Sequence, residues 1–222
     1  YYFPAQYKAL FYLAFIPGLI AVVLTFIVKE KKKTHSTANG TTRFWDFVRY
    51  WRMSPPDYRK LVAGLLIFAL FNSSDIFLLL KMKDGGLSDT AAIGVYIFYN
   101  LVYAAFSYPF GSVADRIGLR TVFIGGLSLF AIVYAGMAFT ANLYVFLLLF
   151  LVYGLYMAAT EGITKAWISN ITDKKDTATA IGTYTGFQSI CALLASSLTG
   201  ALWLAFGAKV VFLVTASMTV VV

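Results

Sequence analysis

The chain is 222 residues long, 60% apolar and 18% aromatic, with charged side chains at only 13% of positions. A soluble domain carries about a quarter of its residues as charges, so a water-soluble globule is excluded and the class is polytopic α-helical membrane protein. The net charge of +8 does not read as a nucleic-acid surface, because nine of the eighteen Lys and Arg fall between Lys29 and Lys60, flanking apolar runs.

Seven runs approach the length a bilayer requires, roughly 20 residues at ~1.5 Å each. They cover 8–28, 61–80, 91–110, 121–139, 143–165, 178–204 and 209–222. The last is shorter than a crossing and the chain opens without Met, which predicts a fragment of a longer protein. The connections alternate in charge. Segments 29–60, 111–120 and 166–177, with Lys165 at their edge, hold fourteen Lys and Arg, whereas the opposite set holds Lys81, Lys83 and Lys209. Basic connections face the cytoplasm, so the first run is expected to enter from outside and an odd number of spans to precede it.

Within 29–60, Lys29–Thr42 lacks periodicity and reads as a flexible linker. Arg43, Asp46, Arg49 and Arg52 then recur every three residues with aromatics between them, predicting a short amphipathic helix over 43–53. Two placements suit it: flat in the headgroup region, or packed on the cytoplasmic end of the bundle. Ser54-Pro-Pro56 ends it.

Charge inside hydrocarbon costs roughly 3 kcal/mol at the centre, so each polar group in a span is a candidate site. The second run carries Asn72-Ser-Ser-Asp75, a carboxyl with an amide one turn before it on the same face: either a desolvated proton-coupling group or a carboxylate in a water-filled vestibule, capped by Asn72 and the serine hydroxyls. On the third, Tyr96, Tyr99, Asn100 and Tyr103 share a face. The fifth carries Glu161 four residues before Lys165, an ion-pair spacing, and the sixth carries Tyr184 and Gln188. Substrate or coupling candidates are therefore Asn72, Asp75, Tyr96, Asn100, Tyr103, Glu161, Tyr184 and Gln188. Small residues at Gly154, Ala158 and Gly162, and at Gly182 and Gly186, predict close helix crossings. Asp173 reads as the N-cap of the sixth span, with Asp176 at its third position. His35 is the single His and Cys191 the single Cys, so no metal-ligand set and no catalytic nucleophile with its base is visible. No enzymatic activity and no cofactor is expected.

Between the third and fourth runs stands Gly111-x-x-x-Asp115-Arg116-x-Gly118-x-Arg120. Glycines permit a tight turn there, and Asp115 with Arg116 and Arg120 can form a clasp that holds in one conformation and breaks in another. The pattern resembles the signature of the major facilitator superfamily of secondary transporters. Leu119 stands where that signature carries a basic residue, as suits the second copy of the motif.

The resemblance implies an all-α bundle working by alternating access of two six-helix halves around a midplane site. Residues 1–28 would be the last helix of the N-terminal half, 29–60 the cytoplasmic central loop, and 61–222 the C-terminal six-helix bundle with a truncated last helix. Gly111, Asp115, Arg116, Gly118 and Arg120 would be a conformational latch. Thr160-Glu161-Gly162 is similar to an element of efflux-type members. The expected function is proton-coupled efflux of a small organic solute, such as a drug-like compound, sugar or metabolite. The expected partners are the solute, protons, lipid and the N-terminal half of the same monomeric transporter in the plasma (bacterial inner) membrane. Nucleic acid is not among them. The alternatives are a heptahelical receptor, whose Asp-Arg element Asp115-Arg116-Ile117 imitates, and a non-transporting membrane sensor or scaffold.

Overall fold

The computed structural model describes residues 7–27 and 46–221, all of the regular structure among them helical. Residues 1–42 and 43–222 are separate compact units. The first contributes α1 (Tyr7–Ile27), an apolar helix with Pro17 inside it. The linker Lys29–Thr42 lies outside the described residues, as do Arg43–Trp45 at the start of the expected amphipathic helix.

The second unit is a helical bundle. Its elements are α2 (Asp46–Met53), α3 (Pro56–Phe71), α4 (Ile76–Asp84), α5 (Asp89–Ile117), α6 (Leu119–Met137), α7 (Leu143–Ile171), α8 (Thr177–Phe206) and α9 (Ala208–Val221). Among the described residues, five stretches are long and apolar enough to cross a membrane: α3 with α4, α5, α6, α7 and α8. Elements α6 and α8 follow the expected runs, while α5 continues past residue 110 to Ile117 and α7 past residue 165 to Ile171.

Three local expectations are corrected. The run 61–80 is not one helix: it breaks at 72–75 into α3 and α4, because Asn, Ser, Ser and Asp all compete for backbone hydrogen bonds that a helix interior needs. The connection 111–120 is almost absent, since α5 runs on to Ile117 and Leu119 starts α6. Gly118 alone makes the corner, with φ at +97° and ψ at 139°, a conformation that disfavours any residue with a Cβ. Finally, Asp176 rather than Asp173 stands at the N-cap position of α8, without a side-chain capping bond; the Asp173 carbonyl accepts from the Asp176 amide at 2.9 Å.

Helix α7 is the central element, packed between α5 and α6. Its small residues make that possible. Gly154 lies against the Tyr99 carbonyl and Val102 of α5, and across α6 Gly126 lies against Thr160 and Ala159. The neighbouring Gly125 faces open space. Gly126→Ala is therefore expected to cost about 1–3 kcal/mol, since its Cβ would stand 2.7 Å from Thr160 Cγ2, while Gly125→Ala is neutral or slightly stabilising. Thermal unfolding of the two variants in detergent checks the contrast, and equal midpoints would refute it. By contrast, Gly162, Gly182 and Gly186 have nothing within 4 Å, so the small-residue spacing on α8 marks no close crossing within this bundle.

Two aromatic-rich cores result. One surrounds Phe130, Tyr134, Phe146, Phe150 and Phe212; the other surrounds Tyr58, Val62, Phe123, Ile163 and Ile168. Helix α2 rests on α8, where Trp51 meets Phe187 edge-on at 5.8 Å, and touches α3, where Tyr50 meets Tyr58 at 5.4 Å. Arg49 and Arg52 point outward. Burial, then the carboxylates of Asp176 and Asp173, pushes the Tyr50 phenol above its ordinary range, as expected for a ring held beside the α7–α8 connection. Helix α2 is thus in contact with the bundle. The hydroxyl of Tyr58 donates to the Ala180 carbonyl at 2.8 Å and ties α3 to α8.

Candidate functional site

The site is built on the break between α3 and α4, just past the middle of their shared 29-residue span. The amide of Asn72 closes α3 on the Phe68 carbonyl at 3.0 Å. The Ser74 amide then leaves its own helix and donates to Ser196 Oγ of α8 at 3.3 Å. Pairing resumes when Phe77 N donates to the Ser74 carbonyl and Leu78 N to the Asp75 carbonyl, each at 3.0 Å. Asp75 occupies the N-cap of α4, yet its side chain makes no capping bond. A carboxylate is still favoured there by the positive end of the helix dipole.

Released from capping, the carboxyl group serves other helices. Tyr99 of α5 donates its phenol to Asp75 Oδ2 at 2.6 Å, and Tyr153 of α7 donates to Oδ1 at 2.5 Å. Both oxygens are thereby engaged by donors short enough to be charge-assisted. The rings that supply them pack on each other, 5.4 Å between centroids, and Tyr153 lies 5.4 Å from Tyr156. Asn72 Nδ2 reaches the Tyr156 hydroxyl at 3.3 Å, while Asn72 Oδ1 is buried with no hydrogen-bond partner. Thr160 donates to the Tyr156 carbonyl one turn on, so its hydroxyl needs no other partner.

Beside this cluster lies a cavity of about 110 Å³. Asn72, Asp75, Glu161, Tyr184 and Gln188 line it, with Tyr153 and Tyr156 as walls. Glu161 is not an unpaired charge there, because Lys165 reaches it at 2.7 Å along α7. The remaining ion pair among the described residues joins Lys83 to Asp89, so no cation among them partners Asp75.

Five of the eight candidate residues thus meet at one cavity, and the three on α5 do not. Tyr96 is 44% exposed and faces a groove beside Lys83 and Asp89. Asn100 returns its amide to the Tyr96 carbonyl at 2.8 Å, and the Tyr103 carbonyl accepts from Ser107 at 2.6 Å. The member of that face that reaches the site is Tyr99. Tyr153 and Tyr156 do not stand out in the sequence, because tyrosine in an apolar run reads as packing. The signal that finds them is the spacing of Tyr153, Tyr156, Thr160 and Thr164, which places hydroxyls along one stripe of α7.

Asp115, Arg116 and Arg120 cluster at the corner around Gly118, and all three are exposed. Among the described residues none of them forms an ion pair. Arg120 and Lys60 line the polar mouth of a separate groove between α3 and α6. Among the described residues no three His, Cys, Asp or Glu side chains are grouped to hold a metal ion.

The family model described as Major Facilitator Superfamily matches residues 61–222. An uncharacterized MFS-type transporter of Methanocaldococcus jannaschii is 29% identical over 208 residues, covering 91% of this chain and 51% of that protein. The chain spans about half the length of this curated relative.

Proposed function

The chain belongs to the major facilitator superfamily, and we propose that it supplies the C-terminal half of a secondary transporter that exchanges protons for a small organic solute. The direction we favour is efflux across the plasma membrane, by alternating access in a monomer, with the basic connections on the cytoplasmic side. In this reading 1–28 ends the N-terminal half and 29–60 joins the halves.

The observation that carries the proposal is Asp75. It is a carboxyl group at a helix break inside a span, held by phenols from two other helices and open to a cavity. Its protonation decides how three elements are joined. As a carboxylate it accepts from both Tyr99 and Tyr153 and ties α4 to α5 and α7. Once protonated, it turns one oxygen into a donor, and one phenol must give up its bond or reverse it. The tie then loosens on one side. A proton thereby changes helix contacts beside the solute cavity, which is what coupling requires. The test is pH-gradient-driven flux by the full-length protein in vesicles, with and without Asp75→Asn; its expected size opens the Discussion.

Gly118 makes the corner and Gly111, the other glycine of the motif, lies inside α5; we assign the latch to Asp115, Arg116 and Arg120. Their exposure, and the lack of ion pairs among the described residues, fit groups that find partners in another conformation. Asp115→Ala is expected to slow transport roughly tenfold with unchanged solute affinity, the effect of one charge-assisted contact worth ~1.4 kcal/mol. Transport kinetics checks this, and an unaltered rate would remove Asp115 from the gating role.

A further inference from the structure

We infer that the solute is a protonated amine, bound at Asp75 in competition with the proton; this rests on the proposed role of Asp75 and names the class of molecule that the same cavity takes. Three observations converge on it. The first is charge. Among the described residues two carboxyl groups line the cavity, and the one cation they have beside them, Lys165, is already joined to Glu161 at 2.7 Å. Asp75 has hydrogen bonds but no counter-ion among the described residues. Among the described residues the cavity therefore has one carboxyl group more than it has cations, and that group, when it is a carboxylate, favours a cationic ligand over a neutral one and disfavours an anion.

The second is the state of the hydrogen-bonding groups around the break. Tyr99 and Tyr153 spend their hydrogens on Asp75, and Asn72 spends an amide hydrogen on Tyr156. What remains at this end of the cavity is mainly acceptor capacity, the further lone pairs of the carboxylate and the buried, unpartnered Oδ1 of Asn72, against one donor, the hydrogen of the Tyr156 hydroxyl. A buried acceptor without a donor is costly, and an N–H of the ligand relieves it. This selects an amine bearing hydrogens over a quaternary ammonium group. The third is the wall. Phe68, Tyr153, Tyr156 and Tyr184 line the cavity, and aromatic faces carry negative potential that attracts an ammonium group while accommodating an apolar body.

Binding then balances as an exchange. The protonated Asp75 carboxyl releases its proton to solvent, the ammonium ion takes its place, and net charge at the site is unchanged. Other titratable groups face this point: Tyr99 from α5, Tyr134 from α6, Tyr153, Tyr156, Glu161 and Lys165 from α7, and Tyr184 from α8. Of these, Glu161 is the second carboxyl group, and its pairing with Lys165 separates it from the exchange. Amine affinity is expected to weaken as pH falls, with more protons released per amine bound.

The experiment uses the full-length protein in detergent and matched probe sets on phenylethyl, hexyl and cyclohexylmethyl bodies. Each set comprises the primary amine, its trimethylammonium analogue, the alcohol and the carboxylate. The expected result is that primary amines bind at least tenfold more tightly than the matched alcohols, that carboxylates do not bind, and that calorimetry in buffers of different ionisation heat detects proton release. Asn72→Leu should weaken the primary amines at least fivefold and leave the trimethylammonium probes unchanged. Asp75→Asn should abolish proton release. Alcohols or carboxylates binding as tightly as the amines, or no amine preference in any set, would overturn the inference. Asp75→Asn vesicles that keep pH-driven flux would instead overturn the coupling role, whatever the binding preference in detergent.

Discussion

Full-length protein carrying Asp75→Asn, reconstituted in vesicles, is expected to lose pH-driven solute accumulation altogether while still folding. Asn has nearly the volume of Asp and retains one acceptor for the phenols of Tyr99 and Tyr153, so the bundle keeps its packing. What it cannot do is bind and release a proton. With one proton exchanged per solute, a gradient of one pH unit supplies ~1.4 kcal/mol and supports roughly tenfold accumulation. The variant should hold the ratio near one, whatever the gradient. Solute equilibration down its own gradient is a separate step and is expected to persist if the neutral site still binds. An accumulation ratio that stays near ten in the variant would remove Asp75 from coupling and leave Glu161 as the remaining carboxyl group in the cavity.

The two carboxyl groups illustrate how far sequence carries such an assignment. Asp75 and Glu161 both stood out because charge in an apolar run is expensive. The spacing of Glu161 and Lys165 correctly predicted their pairing, since positions four apart on a helix face one another whatever surrounds them. Nothing local announced the partners of Asp75. Its phenols come from 24 and 78 residues away, and they arrive only through the packing of α5 and α7 against the break. The break itself was half-legible. Four consecutive Asn, Ser and Asp residues are poor helix formers, yet the apolar residues on both sides supported one continuous span.

The same division appears at the corner around Gly118. The spacing of glycines and charges revealed the family, but not that α5 would continue through Asp115 and Arg116 and leave a single non-helical residue. On α5 the shared face of Tyr96, Tyr99, Asn100 and Tyr103 was read as converging on one pocket. Only Tyr99 reaches Asp75, because Asn100 satisfies its amide on its own helix and Tyr96 lies toward the outer surface. Periodicity groups residues by angle and does not say which of them a neighbouring helix will cover. The glycines make the same point. Gly154 and Gly182 sit in similar small-residue patterns, yet one is pressed against a backbone carbonyl and the other faces open space.

That contrast yields the second large effect. Gly154→Ala is expected to destabilise the protein by about 2–3 kcal/mol, at the upper end of overpacking costs, and to impair transport beyond the loss of folded material. The new Cβ would stand 2.8 Å from the Tyr99 carbonyl and 2.8 Å from Val102 Cβ. Neither neighbour can swing aside, because one is backbone and the other is a β-branched side chain at its branch point. The helices must move apart instead. The residue displaced is Tyr99, whose phenol holds Asp75 Oδ2, while Tyr153 immediately precedes the substituted position and holds Oδ1. A shift of several tenths of an ångström is large for hydrogen bonds of 2.6 and 2.5 Å, so the tie across the helix break should weaken with the crossing. Gly162→Ala, on the same helix with nothing within 4 Å, should leave both stability and flux near wild type. Thermal unfolding and flux per folded molecule should therefore separate the two variants. Wild-type flux in Gly154→Ala, with only its stability reduced, would show that the crossing supports the fold without positioning the carboxylate.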